Sequence, residues 1–320
     1  MISLRWVLAN VLMIFSSLVL ASAQAAYPVT VSHAQGSLTL NEAPKRIAVF
    51  DLGTLDTLDA LGVSAAGVPQ MVGPAYLQKA YAGREVVDIG TLFEPDYAAL
   101  QSLEPDLIII AGRSSAAYEK LAQLAPTIDL SIAPESFLAG VEGNLQLLGA
   151  IFDKQEQAAK LGSELEQALA ATHEKSKGLT SLTLFTINDA LMLHAPGERF
   201  GMLYEVLGTR SVAEAVDPAS VPQGRPAPDS PEARQLREQQ QVRLDAALQA
   251  EPDWLVILDR GAATGGDGKA EETLGKHPGI AAGKAWTAGK VFYLDPATWY
   301  IATGGYQGLM KTLKDFSAAL

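Results

Sequence analysis

The chain has 320 residues, 48% of them hydrophobic and 19% charged, with a formal net charge of −12. A globular chain of this length holds one or two cores, with two favoured, and the acidic balance argues against a nucleic-acid partner and against purely electrostatic membrane attachment. No cysteine is present, which excludes disulfides, thiolate catalysis and thiolate metal sites.

Residues 1–25 read as a secretory signal peptide. Arg5 supplies a short positive n-region, the run from Trp6 to Leu20 is almost entirely apolar, and ASAQAAY offers cleavage after Ala23 or Ala25. The run is short for a membrane span, which needs about 20 residues. An uncleaved anchor is the alternative, and no cysteine follows for lipid attachment. The expected product is exported and soluble, hence periplasmic in a cell with an outer membrane.

VTVSHAQGSLTLNEAP alternates like a short hairpin ended by Pro44. KRIAVFD then reads as a strand and TLDTLDALG as a helix closed by Gly62, with VSAAGVP as the next strand. A second unit runs from a helix starting near Asp96 into the apolar strand Leu107 to Ala111. A helix around Ser115 to Leu124, a strand from Thr127 to Leu130 and a helix from Ser136 to Gly149 follow. This alternation predicts an α/β lobe with a mainly parallel sheet.

The stretch from Asp153 to Gly178 predicts one long helix. Asp153 and Glu156 have capping-box spacing, and Ala158, Leu161, Leu165, Leu169 and Thr172 recur at helical intervals. Lys175 and Lys177 suit the negative end of the dipole and Gly178 the C-terminal cap. Such a helix spans roughly 35 Å.

Beyond it the pattern restarts. LTLFTINDALMLH predicts two strands around a turn at Asn188-Asp189, and RFGMLYEVLG a helix closed by Gly208. Asp217 to Gln241, rich in proline and glutamine, reads as a mobile loop, either a lid or rim or a functionless insertion. A helix leading into the strand Trp254 to Leu258, the strand KVFYLDP and a closing amphipathic helix complete the chain.

DYAALQSLEPDLIIIAGR and RLDAALQAEPDWLVILDR share one design: helix, Glu-Pro-Asp, apolar strand, arginine. Proline stops the helix and the acids solvate the turn. Two copies flanking the long helix predict two lobes of the same kind. Ligands of open α/β sheets bind at strand carboxyl ends, where Arg113 and Arg260 fall. Arg199, in PGERFG after a strand, falls at the same edge. Guanidinium groups stay charged and donate in a plane, which suits carboxylate and catecholate oxygens. In DPATWYIATGGYQG, Trp299 and Tyr300 are expected in a loop, and a tyrosine phenolate is a hard donor for ferric iron. TGGDGK fails the P-loop pattern, and neither G-x-S-x-G nor H-E-x-x-H occurs, which argues against an exported enzyme.

IIIAGR, ERFGMLYEVLG, EPDWLVILDR and YLDPATWYIATGG, in this order around a central helix, resemble the periplasmic siderophore-binding proteins of iron ABC importers, most closely the ferric catecholate (enterobactin-type) subgroup. The resemblance covers the mature chain and implies an α/β fold of two lobes with mainly parallel sheets joined by one long helix. The expected division is signal peptide 1–25, first lobe 26–152, interlobe helix 153–178 and second lobe 179–320. It also implies a monomer without intrinsic cofactor. The monomer takes a ferric siderophore, an anionic catecholate, in the interlobe cleft and passes it to an inner-membrane ABC permease. Haem, cobalamin or another chelate on the same fold is the alternative. Carried over by residue, Arg113, Arg199 and Arg260 hold the anionic ligand with Trp299 beside them, and Tyr300 can ligate iron. The family's partner histidine is missing, since no histidine lies between His194 and His277. Glu238 stands nearest its place. Permease docking through one acid per lobe implies Asp245, with Glu94 or Asp96 substituting in the first lobe, where Ala98 occupies the usual position.

Overall fold

The computed structural model describes residues 27–70, 73–187, 189–221, 224, 226–227 and 229–320. The expected signal peptide and Asn188 of the second-lobe turn lie outside the described residues. No described helix is long and apolar enough to cross a membrane.

The strands are β1 (Val29–His33), β2 (Gly36–Leu40), β3 (Ile47–Val49), β4 (Gly67–Val68), β5 (Val87–Asp88), β6 (Leu107–Ile110), β7 (Thr127–Asp129), β8 (Thr180–Ile187), β9 (Ala190–Leu193), β10 (Arg210–Ser211), β11 (Trp254–Asp259) and β12 (Val291–Tyr293). β1 and β2 form the antiparallel hairpin. The first-lobe sheet runs β5-β4-β3-β6-β7, all parallel. The second runs β10-β8-β11-β12 in parallel, with β9 antiparallel to β8. Buried apolar runs such as Leu107–Ile110 are what a sheet covered on both faces requires. The fold class is therefore α/β with mainly parallel sheets, as the alternation indicated.

The helix Gln155–Ser176 connects the sheets and buries Ala158, Leu161, Leu165 and Thr172 on one face. Its start differs from expectation, whereas Gly178, at φ 81°, follows the Lys177 cap as expected. Lys154 is the N-cap and makes no side-chain cap bond, because Asp153 sits in the left-handed region at φ 56°, which turns it out of the capping position. The segment 217–241 also differs: Ser230 caps a helix, Pro231–Gln249, through the Ala233 amide, so half of the expected loop is helical. Proline at a first helical position costs nothing and glutamine is a good helix former, which the compositional argument overlooked.

The closing helix Tyr306–Ala319 holds Phe316 against Trp254 and Phe292 of the second sheet, at 5.4 and 5.0 Å between ring centroids, and also reaches the first lobe. It packs against the first-lobe helix Leu52–Ala60 and the interlobe helix. The buried Asp56 carboxylate accepts from the Gln307 amide at 2.6 Å and the Gly308 amide at 3.1 Å, satisfying the start of that helix from across the fold. One hydrophobic core therefore runs continuously through Val49, Ile109, Leu165, Val256 and Phe316.

Candidate functional site

In the first sheet the strand order reverses between β3 and β6, which is where an open α/β sheet leaves a crevice beyond its carboxyl ends. At the end of β6 the chain turns at once into a tight helical segment, Gly112–Ala117. The Ala111 amide donates to Ser114 Oγ at 3.2 Å and the Gly112 amide to Ser131 Oγ at 2.7 Å. That turn aims Arg113 across the cleft, where its Nη donates to the Tyr300 carbonyl at 2.5 Å.

Arg199 is placed by a clamp. Gly197, at φ 91°, admits no side chain because a Cβ would stand 1.9 Å from the Val216 carbonyl oxygen. Glu198 accepts from both guanidinium nitrogens of Arg243, at 2.8 and 3.0 Å, and from the Ala195 amide at 2.7 Å. Burial pushes the Glu198 carboxyl up, but the Arg243 and Ala195 hydrogen bonds outweigh it and hold the group below the usual range. At the end of β11, Arg260 donates from Nε to the Tyr300 hydroxyl at 3.1 Å.

Tyr300 is the meeting point. Asp295 caps a short helix, Pro296–Tyr300, in place of the expected loop, and accepts from the Thr298 amide at 2.7 Å. The guanidinium carbons of Arg113, Arg199 and Arg260 lie 4.8, 5.4 and 5.8 Å from the Tyr300 ring centroid. Partial burial raises the phenol's pKa, but the Arg260 hydrogen bond and the three positive charges outweigh it and bring it below the ordinary tyrosine value. Phe185 stacks behind it at 5.9 Å and in turn on Phe200 at 5.3 Å.

In front of this cluster is a cavity of about 210 Å³. Asp51, Arg113, Asn144, Arg199, Tyr300 and Gly304 are among its walls. Asp51, the N-cap of Leu52–Ala60, accepts from the Thr54 amide at 2.6 Å, and burial pushes its carboxyl upward. The structure brings together Arg113, Arg199 and Tyr300 at the cavity itself. Arg260 reaches the site through the Tyr300 hydroxyl and does not line the cavity. Trp299 does not face the ligand space: it is 2% exposed, donates from Nε1 to Thr312 Oγ1 at 2.9 Å and packs 5.9 Å from Phe137. Its expected contact with ligand is thereby corrected, because the helix carrying it turns the indole into the core.

Glu238 is mid-helix, exposed and absent from the cavity lining. Of the expected docking acids, Asp245 is exposed on the same helix with Gln241 Nε2 donating to it at 2.9 Å, and Glu94 is exposed on the first lobe. Asp96 is occupied as the N-cap of Tyr97–Leu103. Sequence reasoning missed Asp51, although an acid ending a buried strand was a visible signal. It also missed the Glu198–Arg243 clamp, for which residues 45 apart gave no signal.

A family model described as periplasmic binding protein matches residues 47–298. The petrobactin-binding protein YclQ of Bacillus subtilis is 28% identical over 298 residues, covering 91% of this chain and 88% of that protein. Its crystal structure superposes with a TM-score of 0.77 over 91% of this chain and 97% of the other. The ferric-anguibactin-binding protein FatB of Vibrio anguillarum is 26% identical over 296 residues, covering 90% and 86%. The siderophore-binding protein BauB, bound to two molecules of acinetobactin and ferric iron, is 25% identical with a TM-score of 0.75, covering 91% and 97%.

Proposed function

The chain belongs to the periplasmic binding protein family, and on that premise we propose that it captures an anionic ferric siderophore, a catecholate, in the cleft above Tyr300. It then delivers the complex to an inner-membrane ABC permease. The carrying observation is the convergence of Arg113, Arg199 and Arg260 on one phenol at a cavity in an otherwise acidic protein. Fixed guanidinium groups concentrated there make an anion site that the net charge of −12 would otherwise oppose. The relatives named for siderophores support the choice of ligand class.

Tyr300 has a second role in this reading. The same positive charges that draw the anion favour its phenolate, a hard oxygen donor for ferric iron. A chelator that leaves iron coordination sites open would gain one donor from this phenolate, with no histidine beside it to fill a second. Glu94 and Asp245 are the exposed acids assigned to permease docking, one on each lobe, and the protein works in the periplasm after removal of its leader.

The test is a titration of the mature chain with ferric hexadentate and ferric tetradentate catecholates, read by tryptophan fluorescence and visible absorbance. Both should bind. Only the tetradentate complex should show a charge-transfer band shifted by the protein, and that shift should vanish in Tyr300→Phe. Saturable binding of haem or cobalamin with no response to any ferric chelate would overturn the reading.

A further inference from the structure

The two arginines of the cavity wall are flanked alike but finished differently. Arg199 lies between the Tyr300 ring, at 5.4 Å, and the Phe200 ring, at 4.9 Å, and Phe200 is 1% exposed. Arg113 lies between Tyr300, at 4.8 Å, and Phe93, at 5.5 Å, but Phe93 is 63% exposed. One side of the array is sealed into the core and the other ends on an aromatic ring open to solvent.

Phe93 is held there by a stiff turn following β5. Thr91 Oγ1 accepts from the Phe93 amide at 3.2 Å and the Glu94 amide at 3.0 Å, the Thr91 amide donates to the Glu94 carbonyl at 2.9 Å, and Gly90 bridges Pro95. Gly90, at φ 102°, is required because a Cβ would stand 2.4 Å from the Glu94 carbonyl oxygen. The turn thus leaves a large apolar ring open to water at the binding edge of the sheet, beside the Arg113 guanidinium.

We propose that Phe93 is a stacking wall for an aryl ring of the bound chelate, so that the site favours aryl-bearing over aliphatic ferric chelates. This rests on the siderophore reading above and narrows it. Size supports it: the cavity of about 210 Å³ falls below the roughly 300–1,000 Å³ of sites that enclose a small ligand. A ferric chelate seated on Arg113 and Tyr300 therefore overlaps the rim. The rim group next to Arg113 is Phe93, and offset stacking of a catechol ring on it adds to the charge interaction beneath. Holding the ring in advance means that little side-chain freedom is lost on binding.

The experiment compares the mature wild-type chain with Phe93→Leu, which keeps apolar bulk, and Phe93→Tyr, which keeps the ring, each titrated with a ferric bis-catecholate. Phe93→Leu should bind about fivefold to tenfold more weakly and Phe93→Tyr within about twofold of wild type. Wild-type affinity in Phe93→Leu would overturn the stacking role while leaving the siderophore reading intact. So would a loss of iron uptake in cells with binding unchanged, which would place Phe93 against the permease. Failure of the wild-type chain to bind the chelate would overturn both.

Discussion

The first and second lobes are built with one device and put it to different ends. In each, a helix stops at a glutamate in the left-handed region, Glu104 at φ 47° and Glu251 at φ 49°, followed by proline and aspartate. In each, that aspartate holds the backbone where the neighbouring strand begins. Asp106 accepts from the Lys45 and Arg46 amides at 2.7 and 2.9 Å, and Asp253 from the Thr180 amide and hydroxyl at 2.9 Å. The strands so aligned, β3 with β6 and β8 with β11, are the central pairs of their sheets. Past the strand the lobes part. Arg113 enters the cavity, whereas Arg260 turns to the Tyr300 hydroxyl and Asp259 folds back onto the amides of Gly261, Lys269 and Ala270. The first lobe turns its strand-end arginine into the cavity, whereas the second lines the cavity with Arg199 and Tyr300 and turns its strand-end arginine onto the tyrosine hydroxyl.

The sharpest break of this comparison is between the two strand-end arginines. Arg113→Ala should weaken binding of a ferric catecholate by about 10- to 100-fold, the loss expected for a charged hydrogen-bonding group at a half-buried site. Arg260→Ala should cost less, about threefold to tenfold, and should raise the Tyr300 pKa toward the ordinary tyrosine value. Calorimetry gives the affinities and the ultraviolet phenolate band gives the titration. Equal losses with no phenol shift would contradict the division of labour.

A second contrast is in acid response. Burial lowers the His194 pKa to about 4, so the unfolded chain takes up this proton more readily, and the stability His194 contributes is lost as pH falls below its ordinary 6.5. Burial raises the Asp56 pKa to about 6, so its contribution is full below the ordinary 3.8 and is lost as pH rises through 6. Between pH 7 and 5 the two oppose each other, each on the order of 1–2 kcal/mol. Urea unfolding of Asp56→Asn should therefore show stability falling on acidification more steeply than in wild type. His194→Gln should show it falling less or rising, and parallel profiles in all three would refute the assignment.

The smallest effect tests the shared device itself. Asp253→Ala, with partly buried partners, should destabilise by about 1–2 kcal/mol, and Asp106→Ala, whose amides lie near water, by about 0.5–1 kcal/mol. Denaturant midpoints check both, and the reverse order would mean that burial does not set the difference.

Much of this was legible in the chain. Alternating apolar runs and helical spacing identified both α/β lobes, because a strand buried on both faces and an amphipathic helix each leave a local period. The same local logic put Arg113 and Arg260 at strand ends and Arg199 at the edge. The exposed ring of Phe93 was not legible, since nothing in Thr91 to Glu94 says which side chain an internally bonded turn leaves outside.

What the sequence determined by itself was the order of elements, the binding edge and the residue types gathered on it, all of which depend on neighbours a few positions away. Direction and partnership came from the tertiary structure. Trp299 and Tyr300 are adjacent, yet Asp295 starts a helix beneath them, and its rotation of about 100° per residue sends one into the core and the other to the cleft. The closing helix returns to the first lobe because Asp56 receives its amides there. The three arginines share one phenol only because the fold brings chain segments from both lobes to it. Contacts of that kind join residues far apart in the chain, where no local period can record them.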